Sequence, residues 1–395
     1  MTTLIKNGQV WQTNKFVHLD ILVNNGKITK LAKHIDIKTT KIIDAKGLFI
    51  IPGLIDVHVH LREPGYEYKE TIKTGSKAAL LGGYTTICCM PNTNPVIDNL
   101  SVLNKLKKII RHDAYVNVKP YVSITKAQKG KTLVDMPLLG KHCFAFSDDG
   151  VGIQSSVLML KAMQMCAKIN KPIVTHCEDA TQTSNAREYK EVSRNLQLAL
   201  KSKCQLHICH VSTKESIALI KKVKNKLISC EVTPHHLLLN HELIKDNGNY
   251  KMNPPLASKK DQIALCRALI DGTIDMIATD HAPHSKNEKN TTYAKSLNGV
   301  VGLEIAFSLI YTKFVKTHKI TFKRLIELMS INPAKVFGIR NNEIKINHHA
   351  NFAIVDLNKK WIIKASQFKS KGKASPFNRW LVYGKLKHTI VNLQN

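Results

Sequence analysis

From residue 49 to residue 278 one pattern repeats along the chain: a short unbroken apolar run, then a stretch whose apolar residues fall three and four apart. Unbroken runs of this length suit strands buried on both faces, and the wider spacing suits helices laid over them. The pattern predicts strands over 49–60, 84–90, 116–124, 142–147, 172–175, 205–209, 227–232 and 275–278. Helices are predicted between them over 70–81, 99–111, 155–169, 187–201, 213–224 and 259–270. Strands alternating with helices in this way argue for an α/β fold, a parallel (β/α)8 barrel of the TIM type. Before residue 50 the texture differs. Short strands over 4–6, 20–23 and 27–31 are set off by Asn7-Gly8 and Asn24-Asn25-Gly26 turns, a β unit too thin to stand alone.

The polar residues fall where such a barrel builds its sites. His58 and His60, two apart in an extended strand, leave the same face, and Arg62 follows where the strand opens into a loop. Asn92, Asp149, His176, His210 and Asp280 also stand at the C-terminal ends of predicted strands. Singly, each has a plainer reading. A lone His176 or His210 is more often a hydrogen-bonded structural histidine, Asp148-Asp149-Gly150 is more often a turn, and Arg62 can pair with Glu63 or Asp56 at the surface. Jointly, four histidines and two aspartates on one rim would perturb one another unless a cation sat among them, and imidazole with carboxylate suits a zinc-class ion.

Bulk properties narrow the setting. No run of about 18 apolar residues is present to span a bilayer, and Met-Thr-Thr-Leu-Ile-Lys-Asn-Gly has no signal-peptide pattern, so a cytoplasmic location away from membranes is expected. Nine cysteines with no Cys-x-x-Cys pair read as small core residues in a reducing compartment. The 59 basic and 29 acidic residues leave a charge of +30. Most of the basic residues are dispersed lysines with no interleaved aromatics, which reads as a solvated surface, with no nucleic-acid partner.

Several motifs are more specific. Asp56-Val57-His58-Val59-His60-Leu61-Arg62-Glu63-Pro64-Gly65, Met90-Pro91-Asn92-Thr93, Ser147-Asp148-Asp149-Gly150, Thr175-His176-Cys177-Glu178-Asp179 and His210-Val211-Ser212-Thr213 occur in order. Glu231-Val232-Thr233-Pro234-His235-His236, Asn253-Pro254-Pro255-Leu256 and Thr279-Asp280-His281-Ala282-Pro283-His284 follow them. Over nearly the whole chain the sequence resembles the type I dihydroorotases of the amidohydrolase superfamily. The resemblance implies a metal-dependent barrel over 51–339 and a small composite β-sandwich from 1–50 and 340–395, where 352–356 and 387–393 read as strands. It implies a zinc-dependent, reversible cyclisation of N-carbamoyl-L-aspartate to L-dihydroorotate in pyrimidine biosynthesis. Two Zn2+ per subunit are implied: His58, His60 and Asp280 on one, His176 and His210 on the other, with Asp149 and a hydroxide as bridges. The hydroxide would be the nucleophile, and Asp280 would serve as general base and acid. Arg62, Asn92 and His284 would grip the substrate carboxylate, and Asn253 would face the ring amide.

Some positions depart from the family pattern. The bridging place carries Asp149 where many superfamily members use a carboxylated lysine. The interval from His176 to His210 is short, Ala257 stands where a basic residue is usual, and Asn298-Gly299 replaces Phe-Gly. Two other readings stand beside the first. One is a hydantoinase or allantoinase, sharing the metals without the carboxylate grip. The other is a docking partner of aspartate carbamoyltransferase, an association that the resemblance admits alongside a homodimer.

Overall fold

The N-terminal segments, with apolar residues such as Leu4, Ile5, Val10, Ile21 and Ile28 buried, pair with one another. In the computed structural model, which describes residues 2–39, 41–340 and 342–394, β1 (Thr2–Gln12), β2 (Lys15–Asn24) and β3 (Lys27–Ala32) form an antiparallel meander. β4 (Lys41–Asp44) and β5 (Phe49–Pro52) add to β1 in parallel. Asn7-Gly8, expected as a turn, instead lies within β1 as a bulge: the register slips between Ile5 and Gly8, and Asn7 takes a φ of 62°. Its backbone N–H donates to the buried carboxylate of Asp20 at 2.8 Å, which holds the bulge in place.

The run over 49–60, expected as one strand, divides at Gly53. A Cβ there would lie 2.0 Å from Thr85 Oγ1, and the Gly53 carbonyl accepts from Ser330 Oγ at 2.8 Å and Asn342 Nδ2 at 3.1 Å. At this crowded point the chain leaves the terminal sheet and enters the parallel one as β6 (Leu54–Val59). β7 (Tyr84–Cys89) and β8 (Asn117–Pro120) follow β6 in parallel; β9 (Ile173–Thr175), β10 (Leu206–Ile208), β11 (Ile228–Val232) and β12 (Met276–Ile277) form a second parallel set. Single bridges join the two sets, Val122 to Phe146 to Ile173 on one side and His281 to Val59 on the other, so bonded neighbours run in a closed circuit.

The strand expected over 142–147 therefore contracts to the bridges at Phe146. The backbone of Phe144 and Ser147 still donates to Pro120 O and Val122 O at 3.1 and 2.9 Å, and the chain then turns into Asp148, whose Oδ1 accepts from the N–H groups of Ile124 (2.7 Å) and Thr125 (3.1 Å). The helices Ile72–Leu81, Leu100–Asp113, Ser156–Lys168, Ala186–Ser202, Lys214–Val223 and Lys259–Asp271 lie close to their expected positions. Thr71, Asn99, Ser155, Thr213 and Ser258 cap five of them by accepting a first-turn N–H, which is why their starts were readable.

Two apolar layers result. Ile55 and Val57 join Cys88, Tyr121, Val174 and Met276 in one cluster, while Leu54 and Val59 belong to the larger cluster that includes helix residues. All nine cysteines are unpaired thiols. β13 (Phe352–Ile362) and β14 (Leu381–Ile390), longer or earlier than expected, pair antiparallel, and β13 pairs with β5. The resulting order β14-β13-β5-β1-β2-β3 brings both chain ends into one sheet. No helix among the described residues is long and apolar enough to cross a membrane.

The segment between β13 and β14 is tied down by Glu304, which accepts from the N–H groups of Lys369 (2.6 Å) and Ser370 (3.2 Å). Burial pushes its carboxyl up from 4.5 to about 7. The folded chain then holds this proton more tightly than the unfolded chain, so stability is lost as pH rises from 4.5 through 7. Glu304→Gln keeps the accepting oxygen without the charge. Its melting temperature is expected to match the parent near pH 5 and to exceed it at pH 8; a deficit at pH 8 would contradict this.

Candidate metal centre

The parallel strands deliver their polar residues to one end of the circuit. His58 lies near the end of β6 where its pairing with β7 slips between Asp56 and Val59, and His60 lies just beyond. His176 directly follows β9; His210 and Asp280 stand two and three residues after β10 and β12, and Asp149 three after the Phe146 bridges. Arg62, His210 and Asp280 take φ values of 62°, 31° and 46°, left-handed conformations that cost about 1–3 kcal/mol each and tend to gather at functional sites.

Three groups of side chains among the described residues bring ligand-type atoms within 4.8 Å of one another: His58, Cys209 and Glu231 deep in the core, and two that overlap at the strand ends, His58, His60 and Asp149, and Asp149, His176 and His210. Asp149 belongs to both. Its Oδ1 is 3.3 Å from His58 Nε2 and 3.8 Å from His210 Nε2, and its Oδ2 is 3.5 Å from His60 Nε2. Asp280 Oδ1 lies 3.0 Å from His60 Nε2 and 3.6 Å from His58 Nε2.

The outer face of each imidazole determines what its inner face offers. His58 Nδ1 meets Glu231 Oε1 at 2.7 Å, His60 Nδ1 meets Asn92 Oδ1 at 2.9 Å, and His176 Nε2 meets Glu178 Oε2 at 2.8 Å. All three oxygens only accept when the glutamates are ionised, so each outer nitrogen carries the hydrogen and each inner nitrogen is bare. The buried His58 Nε2 and Asp149 Oδ1 have no hydrogen-bond partner, and His176 Nδ1 faces His210 Nε2 at 3.0 Å. Anionic oxygens and bare nitrogens aimed at one volume are a donor set that fits a metal cation.

Above this set lies a pocket of about 140 Å³, lined by His60, Arg62, Asn92, Asp149, His176, His210, Asn253 and Asp280. Of the residues expected at the site, His58 lies beneath with no exposed surface and His284 does not line the pocket. Arg62 does not pair with Glu63 or Asp56. Its Nε donates to Pro283 O at 3.2 Å, and one terminal nitrogen lies 3.4 Å from His284 Nε2. His284 meets the carbonyl of Asn298 through Nε2 at 2.7 Å and Lys69 Nζ through Nδ1 at 3.3 Å. Burial, then the charges of Arg62 and Lys69, push it down to about 3, so it is neutral and its Nε2–H is spent on Asn298. Asn253 Nδ2 donates to Glu178 Oε2 at 2.9 Å. Among the departures from the motif pattern, Asn298 and Gly299 line the pocket, whereas Ala257 does not.

Glu178, Lys69 and Glu231 are site groups beyond those expected from the sequence. Glu231 left a signal, a carboxylate inside the otherwise uncharged strand Ile228–Val232. Glu178 stands two residues after His176, its ring partner, within the Thr175–Asp179 motif, whereas Lys69 left no signal because its partner His284 is 215 positions away.

A family model described as Dihydro-orotase-like matches residues 47–201. A dihydroorotase of Macrococcus caseolyticus is 43% identical over 100% of this chain and 98% of its own length. A dihydroorotase of Staphylococcus aureus (strain Mu50) is 46% identical over 96% of each. Among solved structures, the L-hydantoinase (dihydropyrimidinase) from Arthrobacter aurescens superposes with a TM-score of 0.89 at 24% identity over 99% of both chains. A D-hydantoinase gives 0.88 at 21%, covering 99% of this chain and 95% of its own. The structural likeness establishes that the chain shares the fold of these hydantoinases. Sequence identity over essentially the full length goes further, and with it the chain belongs to the dihydroorotase family, enzymes of the cyclic amidohydrolase type.

Proposed function

We propose that the chain interconverts N-carbamoyl-L-aspartate and L-dihydroorotate at a two-zinc centre on the strand ends of a (β/α)8 barrel. The observation that carries this reading is the convergence of bare nitrogens and carboxylates beneath a pocket whose wall holds a guanidinium, Arg62. His58, His60 and Asp280 would hold one zinc, and His176 and His210 the other, with Asp149 between them. When bound, the metals supply a deprotonated water at neutral pH and polarise the scissile carbonyl.

The chain's own groups do the rest. Arg62 offers a charge-assisted fork to the substrate carboxylate. Asn92 gives its oxygen to His60 and keeps its amide N–H groups for the same carboxylate. His284 joins them by turning its Nε2–H away from Asn298, and Asn253 faces the ring amide. In ring opening, oxygen from water bonds to the ring carbonyl carbon and the ring C–N bond breaks. Asp280 accepts the water's proton and returns it to the departing nitrogen. In the biosynthetic direction Asp280 starts protonated and assists loss of water from the carboxyl group. The same reading divides the chain into a barrel over 51–339 and a composite β-sandwich from 1–50 and 340–395, supported by the pairing of β13 with β5. It includes a cytoplasmic homodimer, which sedimentation would test.

Ring opening by zinc-loaded protein, assayed on L-dihydroorotate beside dihydrouracil, hydantoin and allantoin, tests the assignment. Turnover of dihydroorotate alone is expected. The fold likeness to hydantoinases favours one second reading, and turnover of only the neutral rings would keep the metal centre while transferring the substrate to that reading. Arg62→Met is expected to weaken dihydroorotate binding by roughly 10- to 100-fold, the worth of a hydrogen bond to a charged group, and to leave dihydrouracil binding unchanged. Equal losses for both would remove Arg62 from the carboxylate grip.

A further inference from the structure

β11 carries the carboxylate of Glu231 in the middle of the core, with no exposed surface and outside the pocket lining. Keeping a charge in such a place costs several kcal/mol unless hydrogen bonds offset it. Glu231 Oε1 faces His58 Nδ1 at 2.7 Å and the backbone N–H of His210 at 3.3 Å. Its Oε2 faces His207 Nε2 at 3.0 Å, and His207 Nδ1 faces Ser229 Oγ at 2.8 Å. His207 is fully buried, with its ring edge-on to Phe337 at 5.1 Å.

These bonds have one consistent direction. The ionised carboxylate only accepts, so His58 Nδ1 and His207 Nε2 both carry hydrogens, and His207 Nδ1 then accepts from the Ser229 hydroxyl. The inward nitrogen of His58 is left bare, matching its lack of a partner. Of the two candidate metal-binding groups that share Asp149, His58 belongs to one and His210 to the other, so a single carboxylate oxygen of Glu231 touches a residue of each. A carboxylate could rotate away from His58; the bond from His207 to its second oxygen prevents this.

We propose that Ser229, His207 and Glu231 form a train of positioning residues that sets the tautomer, orientation and donor strength of His58 and fixes the backbone of His210. None of the three touches substrate. The inference rests on the metal centre proposed above and deepens it. Partners of this kind behind metal-bound histidines typically change affinity by about 10- to 100-fold.

The test uses Zn2+ alone, with apparent affinity measured by chelator competition on the full chain and the melting temperature of the metal-free protein as a control for folding. Glu231→Gln retains the hydrogen bonds, its oxygen facing His58 and its amide N–H groups facing His207, while removing the charge. It is expected to bind zinc about 10- to 100-fold more weakly with the metal-free melting temperature nearly unchanged. His207→Gln is expected to weaken zinc less, and the Glu231→Gln/His207→Gln double variant to be no weaker than Glu231→Gln, because both act through one link. A purely structural role for His207 would instead make the two losses multiply. Parental zinc affinity in Glu231→Gln, or multiplying losses in the double variant, would overturn the proposal. If Glu231→Gln does not fold, His207→Gln decides, and parental zinc affinity in that variant overturns it. Absence of zinc binding in the parent would overturn the metal centre itself, an outcome distinguishable from either.

Discussion

Asp149→Ala is expected to lower bound zinc below one equivalent per chain and to cut turnover of dihydroorotate at least ~10³-fold. Asp149 is the one side chain present in both ligand-type groups that share the pocket floor, within 3.8 Å of three imidazole nitrogens. Its removal takes the shared oxygen from both halves of the centre at once. The carboxylate is buried and its Oδ1 has no protein partner, so the loss should appear in metal content and rate, with the far-ultraviolet spectrum of the metal-free chain unchanged. Metal quantification beside a ring-opening assay checks both. Turnover within a few fold of the parent would remove Asp149 from the bridging place.

Asp280→Asn separates proton transfer from metal binding. The amide keeps an oxygen near His60 Nε2, where the parent carboxylate stands 3.0 Å away, so zinc is expected to be retained or partly retained. An amide cannot take up and return a proton at neutral pH. Turnover is therefore expected to fall by about 10²- to 10⁴-fold in both directions, the usual worth of a positioned acid and base. The paired readings matter: lost rate with retained zinc supports the proton-carrying role, whereas near-normal rate with retained zinc removes it.

Much of this arrangement was written locally. Helices whose first turn follows Thr71, Asn99, Ser155, Thr213 or Ser258 were placed closely from sequence, because a cap and an apolar stripe are both short-range features. The strand expectations failed where a distant group displaced the local pattern. Gly53 divides 49–60 because Thr85, Ser330 and Asn342 crowd it, and after Ser147 the side chain of Asp148, in place of a backbone carbonyl, takes the N–H groups of Ile124 and Thr125.

The alternation of strands and helices, and the placement of His58, His60, Asp149, His176, His210 and Asp280 at strand ends, are legible along the chain before it folds. A period of two or of three to four residues, and a polar residue ending an apolar run, survive in one dimension. Long-range contacts alone settle which nitrogen of His58 and of His60 faces inward, that His284 is already engaged by Asn298 and Lys69, and that Glu231 stands behind both halves of the centre. Those outcomes depend on hydrogen bonds between residues 14 to 215 positions apart, whose directions are fixed only when burial leaves each donor a single acceptor within reach.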